Sequence, residues 1–286
     1  MYHLVSARFR QAVPESEVRG RILELRQKLG PCSKVVHRGG PRFRLIHQRG
    51  IVPVRVIVRQ GRVTGLWFRP VVYPNDKLAT ILAALRRLPG KVALTVREAG
   101  KPNLASMRSD KPLAVASTFK LYILEALQKE VLAGRMRWDD QLQLQPKWLS
   151  GSPSLFRRWP AGTPLTLATL ATLMISRSDN SATDHLLFHL GRPLVEKLAG
   201  PRNRPLLSTR EMFQLKTPNH DRLAQRYLAA KTPAARQALL GNLARAPLGR
   251  IRSWSRPRYI DRLEWFFTTD ELCDVMLRVK ALKPDA

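Results

Sequence analysis

At 286 residues the chain has room for one large domain or two ordinary ones. Hydrophobic residues make up 44% and charged residues 25%, which supports a packed core and excludes wholesale disorder. Fifty Lys and Arg against 21 Asp and Glu give a net charge of +29, so the chain attracts anionic molecules. The arginines are scattered, in groups no tighter than pairs such as Arg86-Arg87 and Arg157-Arg158, and no zinc-finger, RNA-recognition or helix-turn-helix spacing accompanies them. No specific nucleic-acid partner is expected. Cys32 and Cys273 lie far apart without a metal or disulfide spacing. The longest strongly apolar stretch, Leu165 to Ile175, falls short of the ~20 residues that a bilayer requires, so no membrane span is expected. The first ten residues lack the apolar core of a signal peptide, and the compartment stays open.

Taken in order, Pro14 to Leu25 carries Val18, Ile22 and Leu25 at helical spacing behind an acidic first turn, with Gly30-Pro31 as a stop. Three β-rich runs follow, Arg42 to Gln48, Ile51 to Gln60 and Arg62 to Phe68, with Val54, Val56 and Val58 alternating against Arg55, Ile57 and Arg59. A helix on an antiparallel meander predicts a small α+β domain over residues 1–89, closed by a helical connector from Asp76 to Leu88. The second domain, residues 90–286, opens with strands at Lys91 to Arg97 and Leu104 to Met107. It then reads as helices over Ser117 to Ala133, Leu165 to Ile175, Ser181 to Leu190, Thr209 to Lys216, Pro233 to Arg245 and Asp270 to Leu282. Ser208-x-x-Glu211 and Thr268-x-x-Glu271 have the form of capping boxes, and Thr232-Pro233 that of an N-cap followed by proline.

Two short motifs carry chemistry. In Ser117-Thr-Phe-Lys120 the two functional side chains are three apart on a helix start, so the amine can reach the hydroxyl. A serine hydroxyl is a weak nucleophile until a base takes its proton, and an amine desolvated by burial is such a base. Backbone N–H groups at a helix start favour a developing oxyanion. Ser178-Asp179-Asn180 lies between two helices, where a hydroxyl can relay a proton and a carboxamide can hold a carbonyl. Alone, each motif has an ordinary reading as a helix cap. Together, in this order, they point to a serine acyl-transfer site.

The pair of motifs resembles the class A β-lactamase and penicillin-recognising serine hydrolases. The strand Lys91 to Arg97, the run Leu113 to Lys120 and the helical stretch to Asn180 are similar as well. The preceding α+β unit resembles the steroid-isomerase and nuclear-transport-factor-like domain of two-domain hydrolases from clavulanic-acid gene clusters, and Pro205 to Phe213 is similar to a recurring stretch there. The resemblance implies Ser117 as acylated nucleophile, Lys120 as its base, Ser178 as proton shuttle and Asn180 as substrate contact, while Asp179 holds the turn. It implies hydrolysis of an anionic β-lactam or a related amide or ester by a monomer, without cofactor or metal. The family is usually exported.

Two departures temper the expected activity. The third family motif, Lys-Thr/Ser-Gly on a strand, has no match; Lys216-Thr217-Pro218 and Lys231-Thr232-Pro233 share two letters but border helices. The sheet is therefore expected to be reduced and the hydrolase domain C-terminally incomplete. No Glu after Asn180 stands in the Glu-x-x-Leu-Asn setting that activates a deacylating water in class A enzymes. The alternatives are an esterase or peptidase of the same superfamily, and a catalytically impaired, truncated binding module. His185 and His189 share a helix face at metal-pair spacing, but no third ligand accompanies them. Trp138, Trp148, Trp159, Trp254 and Trp265 are read as core or core-edge residues.

Overall fold

The computed structural model describes residues 4–74, 76–151, 154–244 and 257–282, so Trp254 and the end of the helix read to Arg245 lie outside the described residues. The chain divides into two compact units, Met1–Arg87 and Leu88–Ala286.

In the first unit, helices α1 (Ala7–Ala12) and α2 (Glu15–Leu29) precede strands β1 (Cys32–His37), β2 (Arg42–His47), β3 (Gly50–Arg59) and β4 (Arg62–Phe68), and helix α3 (Leu78–Arg86) follows. The strands form one antiparallel sheet in chain order. Glu15 and Glu17 at the start of α2 and Arg26 and Lys28 at its end complement the helix dipole. Leu25 and Leu29, one helical turn apart, pack on Val52 and Val54, which share a face of β3 by the two-residue period. Leu45, Val56, Leu66 and Phe68 extend this layer. The sequence reading does not anticipate β1, because this edge strand stays largely exposed and shows none of the alternation that marks a half-buried strand.

The second unit is mostly helical, with a reduced sheet. Strands β5 (Leu94–Arg97) and β6 (Asn103–Met107) pair antiparallel. Residues β7 (Leu113–Ala114) lead into a 3₁₀ turn, Ala116–Phe119, and then helix α4 (Lys120–Leu132). The strands β8 (Gln141–Gln143) and β9 (Pro164–Thr166) form a second hairpin pair ahead of α5 (Leu167–Ser176), α6 (Asn180–Leu190), α7 (Arg192–Ala199), α8 (Thr209–Lys216), α9 (Asp221–Ala229) and α10 (Pro233–Ala244). Strand β10 (Phe266–Phe267) returns to pair with β7, and α11 (Thr269–Ala281) ends the described structure.

Helix α4 is the axis of this unit. Tyr122, Ile123, Ala126 and Leu127 are buried with Leu170 and Met174 of α5, Leu186 and Leu187 of α6, and Val275 of α11. A charge buried on a helix surrounded on several sides needs a partner. Glu125, fully buried, receives Arg278 at 2.7 Å and Lys129 at 3.0 Å. Both capping boxes form, at Ser208/Glu211 and Thr268/Glu271, and Thr232 accepts the Ala235 N–H at 3.2 Å. Helices α7 and α9 were not read from the sequence; α7 opens on Gly191 and Pro193, residues more often taken as loop punctuation, although proline suits the first helical turn.

Candidate functional site

Three segments meet at the start of α4. The first is the turn bearing Ser117, whose side chain is exposed, with Ala116 before it at φ 47°. The second is the connection from α5 to α6, where Ser178 sits at φ 54°. Left-handed backbone costs a non-glycine residue about 1–2 kcal/mol, so both conformations are held by their surroundings. For Ser178 the holding contacts are visible. The Asp179 N–H donates back to Leu173 O at 3.1 Å, while the Asp179 carboxylate caps α6 through Ala182 N at 2.9 Å. The same carboxylate accepts from Ser154 Oγ at 3.0 Å and Leu155 N at 3.4 Å, tying in the third segment. Asp179 is thus committed to architecture.

Lys120 reaches across to that turn. It is only 2% exposed, and its Nζ donates to Ser178 O at 2.7 Å, Ser178 Oγ at 3.0 Å and Asn180 Oδ1 at 2.8 Å. An ammonium has three N–H bonds, and these three acceptors match them in number. Burial nevertheless favours the neutral amine and pushes its pKa down to about 8, against the raising influence of Asp184 and Asp179. The structure brings Lys120 into contact with both Ser178 and Asn180. Ser117 stands one turn before Lys120 on the exposed side, and among the described hydrogen bonds none joins its hydroxyl to the amine.

Asp184, which the sequence reading did not single out, proves to be a second tie. Fully buried on α6, it accepts the N–H groups of Thr209 at 2.7 Å and Arg210 at 2.9 Å, the start of α8. Thr209 Oγ1 in turn donates to Asn180 O at 3.1 Å. A signal existed, since a carboxylate among Ala182, Leu186 and Leu187 on a buried helix needs partners.

Against this geometry, the model of the beta-lactamase enzyme family matches residues 75–233, more than half of the sequence. The chain belongs to this beta-lactamase family. Among solved structures, a beta-lactamase from Sphaerobacter thermophilus is 28% identical over 42% of this chain and 45% of its own, with a TM-score of 0.39. One from Chitinophaga pinensis is 26% identical over 33% and 36%, with a TM-score of 0.31. An acyl-enzyme complex of a PBP-A mutant with penicillin G is 20% identical over 58% and 66%, with a TM-score of 0.38. The chain thus spans less than half the length of the Sphaerobacter and Chitinophaga proteins. No curated protein matches it.

In this beta-lactamase-family chain, His185 and the glutamates after Asn180 have partners among the described residues. His185 Nε2 accepts the Gln145 N–H at 2.9 Å, so Nδ1 carries the proton and donates to Ser181 O at 2.7 Å. Burial lowers its pKa and keeps the ring neutral. Both nitrogens are engaged while His189 is exposed, so the two do not form a metal pair. Among the described residues no group of three or more His, Cys, Asp or Glu is placed to hold a metal ion, and no helix is long and apolar enough to cross a membrane. The four glutamates after Asn180 all have structural partners: Glu196 accepts Leu206 N, Glu211 takes Ser208 N and Arg192, Glu264 pairs with Lys216, and Glu271 takes Thr268 N and Arg202. The Lys216-Thr217 look-alike is a helix end, with Thr217 Oγ1 donating to Phe213 O at 2.9 Å.

Proposed function

We propose that the chain is a serine hydrolase of the class A β-lactamase type, in which Ser117 is acylated by an anionic amide or ester such as a β-lactam. The single observation that carries this reading is the buried Lys120 amine held on Ser178 and Asn180 one turn from an exposed serine. In the neutral state, Lys120 accepts the Ser117 proton as Oγ attacks the acyl carbon. Ser178, already bonded to the amine, passes that proton to the departing nitrogen or oxygen, so the C–N or C–O bond breaks without a free anion. Asn180, whose Oδ1 accepts from Lys120, is the substrate contact of this reading. The N–H of Ser117, in the first turn of the helical entry, faces the developing oxyanion. The first unit takes the steroid-isomerase-like part in this two-domain reading.

Engagement of every glutamate after Asn180 in backbone hydrogen bonds or ion pairs supports a second feature, acylation faster than hydrolysis. Intact-mass measurement after incubation with benzylpenicillin tests both. A one-penicillin adduct is expected on the wild-type chain and not on Ser117→Ala; its absence from both would overturn the proposal. Turnover of p-nitrophenyl esters without nitrocefin hydrolysis would move the assignment to the esterase branch.

A further inference from the structure

The first unit holds a feature that the acyl-transfer chemistry does not use. Between Glu24 and Asp76 the sequence contains eleven Lys and Arg and no Asp or Glu. Strand register gathers part of this charge onto one face. Arg42 stands directly opposite Arg55, and Arg55 directly opposite Trp67, so the three form a row across β2, β3 and β4. Arg44 lies two residues along from Arg42, opposite Pro53, and Arg69 donates its backbone N–H to Pro53 O at 2.8 Å. These side chains are on the face opposite Val52, Val54 and Val56 and are exposed. Arg42, Arg44, Arg55 and Arg69, together with Arg38 and the Gly39-Gly40 turn of the β1–β2 hairpin, line an open cleft of about 730 Å³.

Two physical points turn this from a charged surface into a site. Like charges directly opposite on neighbouring strands are unfavourable, and among the described residues none of Arg38, Arg42, Arg44, Arg55 and Arg69 has a carboxylate partner. Elsewhere on the chain, exposed arginines such as Arg19, Arg21 and Arg137 do pair with carboxylates. A ligand with several negative charges would relieve the cleft. The second point is Trp67, 51% exposed, whose ring lies over Gly65 so closely that a Cβ there would stand 2.3 Å from it. Glycine lets the indole lie flat on the sheet, with the Arg55 guanidinium 5.7 Å from the ring centroid. A flat exposed indole beside a track of guanidinium groups suits a base followed by its phosphates, and a duplex keeps its bases stacked away from such a surface.

We propose that the outer face of the β2–β3–β4 sheet is a binding track for the phosphodiester chain of a single-stranded nucleic acid, read without sequence specificity. The linear sequence shows the excess of positive charge but not the row, because the arginines are dispersed until register aligns them.

The test is fluorescence anisotropy of labelled oligo(dT) with the full chain across a salt series. Tight binding at low salt is expected. The triple variant Arg42→Gln/Arg44→Gln/Arg55→Gln is expected to weaken it by at least about tenfold and to lower the log–log salt slope by about 2, at ~0.7 per phosphate contact. Trp67→Leu is expected to cost about fivefold or more at an unchanged salt slope, as loss of stacking does. Thermal unfolding in the absence of oligonucleotide should show the triple variant at least as stable as wild type, since it removes a repulsive pair. An equal loss from Arg157→Gln/Lys197→Gln/Arg222→Gln, three exposed cations of the second unit, would overturn the proposal in favour of bulk charge. Stronger binding to the duplex, or binding to phosphatidylglycerol vesicles but not to oligo(dT), would overturn it as well.

Discussion

Lys120 and Asn180, 60 residues apart in the chain, are joined by a 2.8 Å hydrogen bond from a buried ammonium to a carboxamide oxygen. With the bond to Ser178 Oγ it welds the start of α4 to the turn that begins α6. It is a stabilising contact for the charged amine, set against burial that disfavours that charge. The balance leaves the amine within reach of deprotonation near neutral pH, which an exposed lysine is not.

The first prediction concerns pH. If neutral Lys120 is the base, the rate of Ser117 acylation rises about tenfold per unit below pH 8 and levels off above the pKa of about 8. Lys120→Arg, which stays charged throughout, should flatten the profile and lower the rate by about 10²–10⁴. Quenched-flow intact mass at pH 6 to 10 measures this directly. A wild-type profile already flat from pH 6 would refute the assignment of the base.

Asp184 gives a prediction of opposite character, about stability. Burial pushes its carboxyl up to about 7, although the Arg210 and Thr209 N–H groups pull the other way. In the unfolded chain the group releases its proton near pH 4. Between those values the folded state holds a proton that the unfolded state does not, so this group's contribution to stability falls as pH rises from about 4 to about 7. The slope is at most about 1.4 kcal/mol per pH unit. Asp184→Asn abolishes the titration, and the difference in unfolding midpoint between variant and wild type should grow in the variant's favour across that window. A difference independent of pH would show that the carboxylate stays ionised on its two N–H donors.

The buried ion pair of α4 and α11 should matter far more than exposed ones. Burial raises the Glu125 pKa, but the bonds from Arg278 and Lys129 outweigh it and hold the carboxyl below its usual value. Arg278→Met leaves a fully buried carboxylate with Lys129 alone and should cost about 2–3 kcal/mol in urea unfolding. Arg19→Met, at an exposed helical pair with Glu15, should cost no more than about 0.5 kcal/mol. Because the folded Glu125 pKa is depressed, the larger loss should shrink as pH falls through the carboxylate range.

What the sequence made legible follows from how local each signal is. Helix α8 was readable to the residue because Ser208 and Glu211 cap it from within one turn, and β3 because valines alternate with an arginine along it up to the register shift at Ile57/Val58. The Lys120–Ser178–Asn180 cluster was reachable only because two motifs point at each other; neither alone exceeds a helix cap. Asp184 escaped notice because its partners are backbone N–H groups 25 and 26 residues away, which carry no side-chain signature. The arginine face escaped for a related reason. Arg42, Arg55 and Trp67 are neighbours only through register, and register is a property of the folded sheet.

The last prediction concerns what lies beneath the serine. Phe119, between Ser117 and Lys120, stacks on Trp265 with ring centroids 3.9 Å apart and planes 5° from parallel. Trp265 is anchored by its Nε1–H to Leu207 O at 2.9 Å, and its backbone O accepts the Val115 N–H at 3.0 Å. The turn that presents Ser117 is therefore held from below by an aromatic shelf and from the side by a β-type bond. Trp265→Phe keeps a stacking ring and loses the N–H, so it should cost about 1 kcal/mol and leave acylation within about twofold. Trp265→Ala removes the shelf, should cost about 3–5 kcal/mol, and should slow acylation more than tenfold while penicillin binding before acylation changes little. Comparing saturating acylation rate with half-saturating penicillin concentration separates the two effects. If Trp265→Ala changes only stability, the turn is rigid without its shelf and Val115 alone sets the serine.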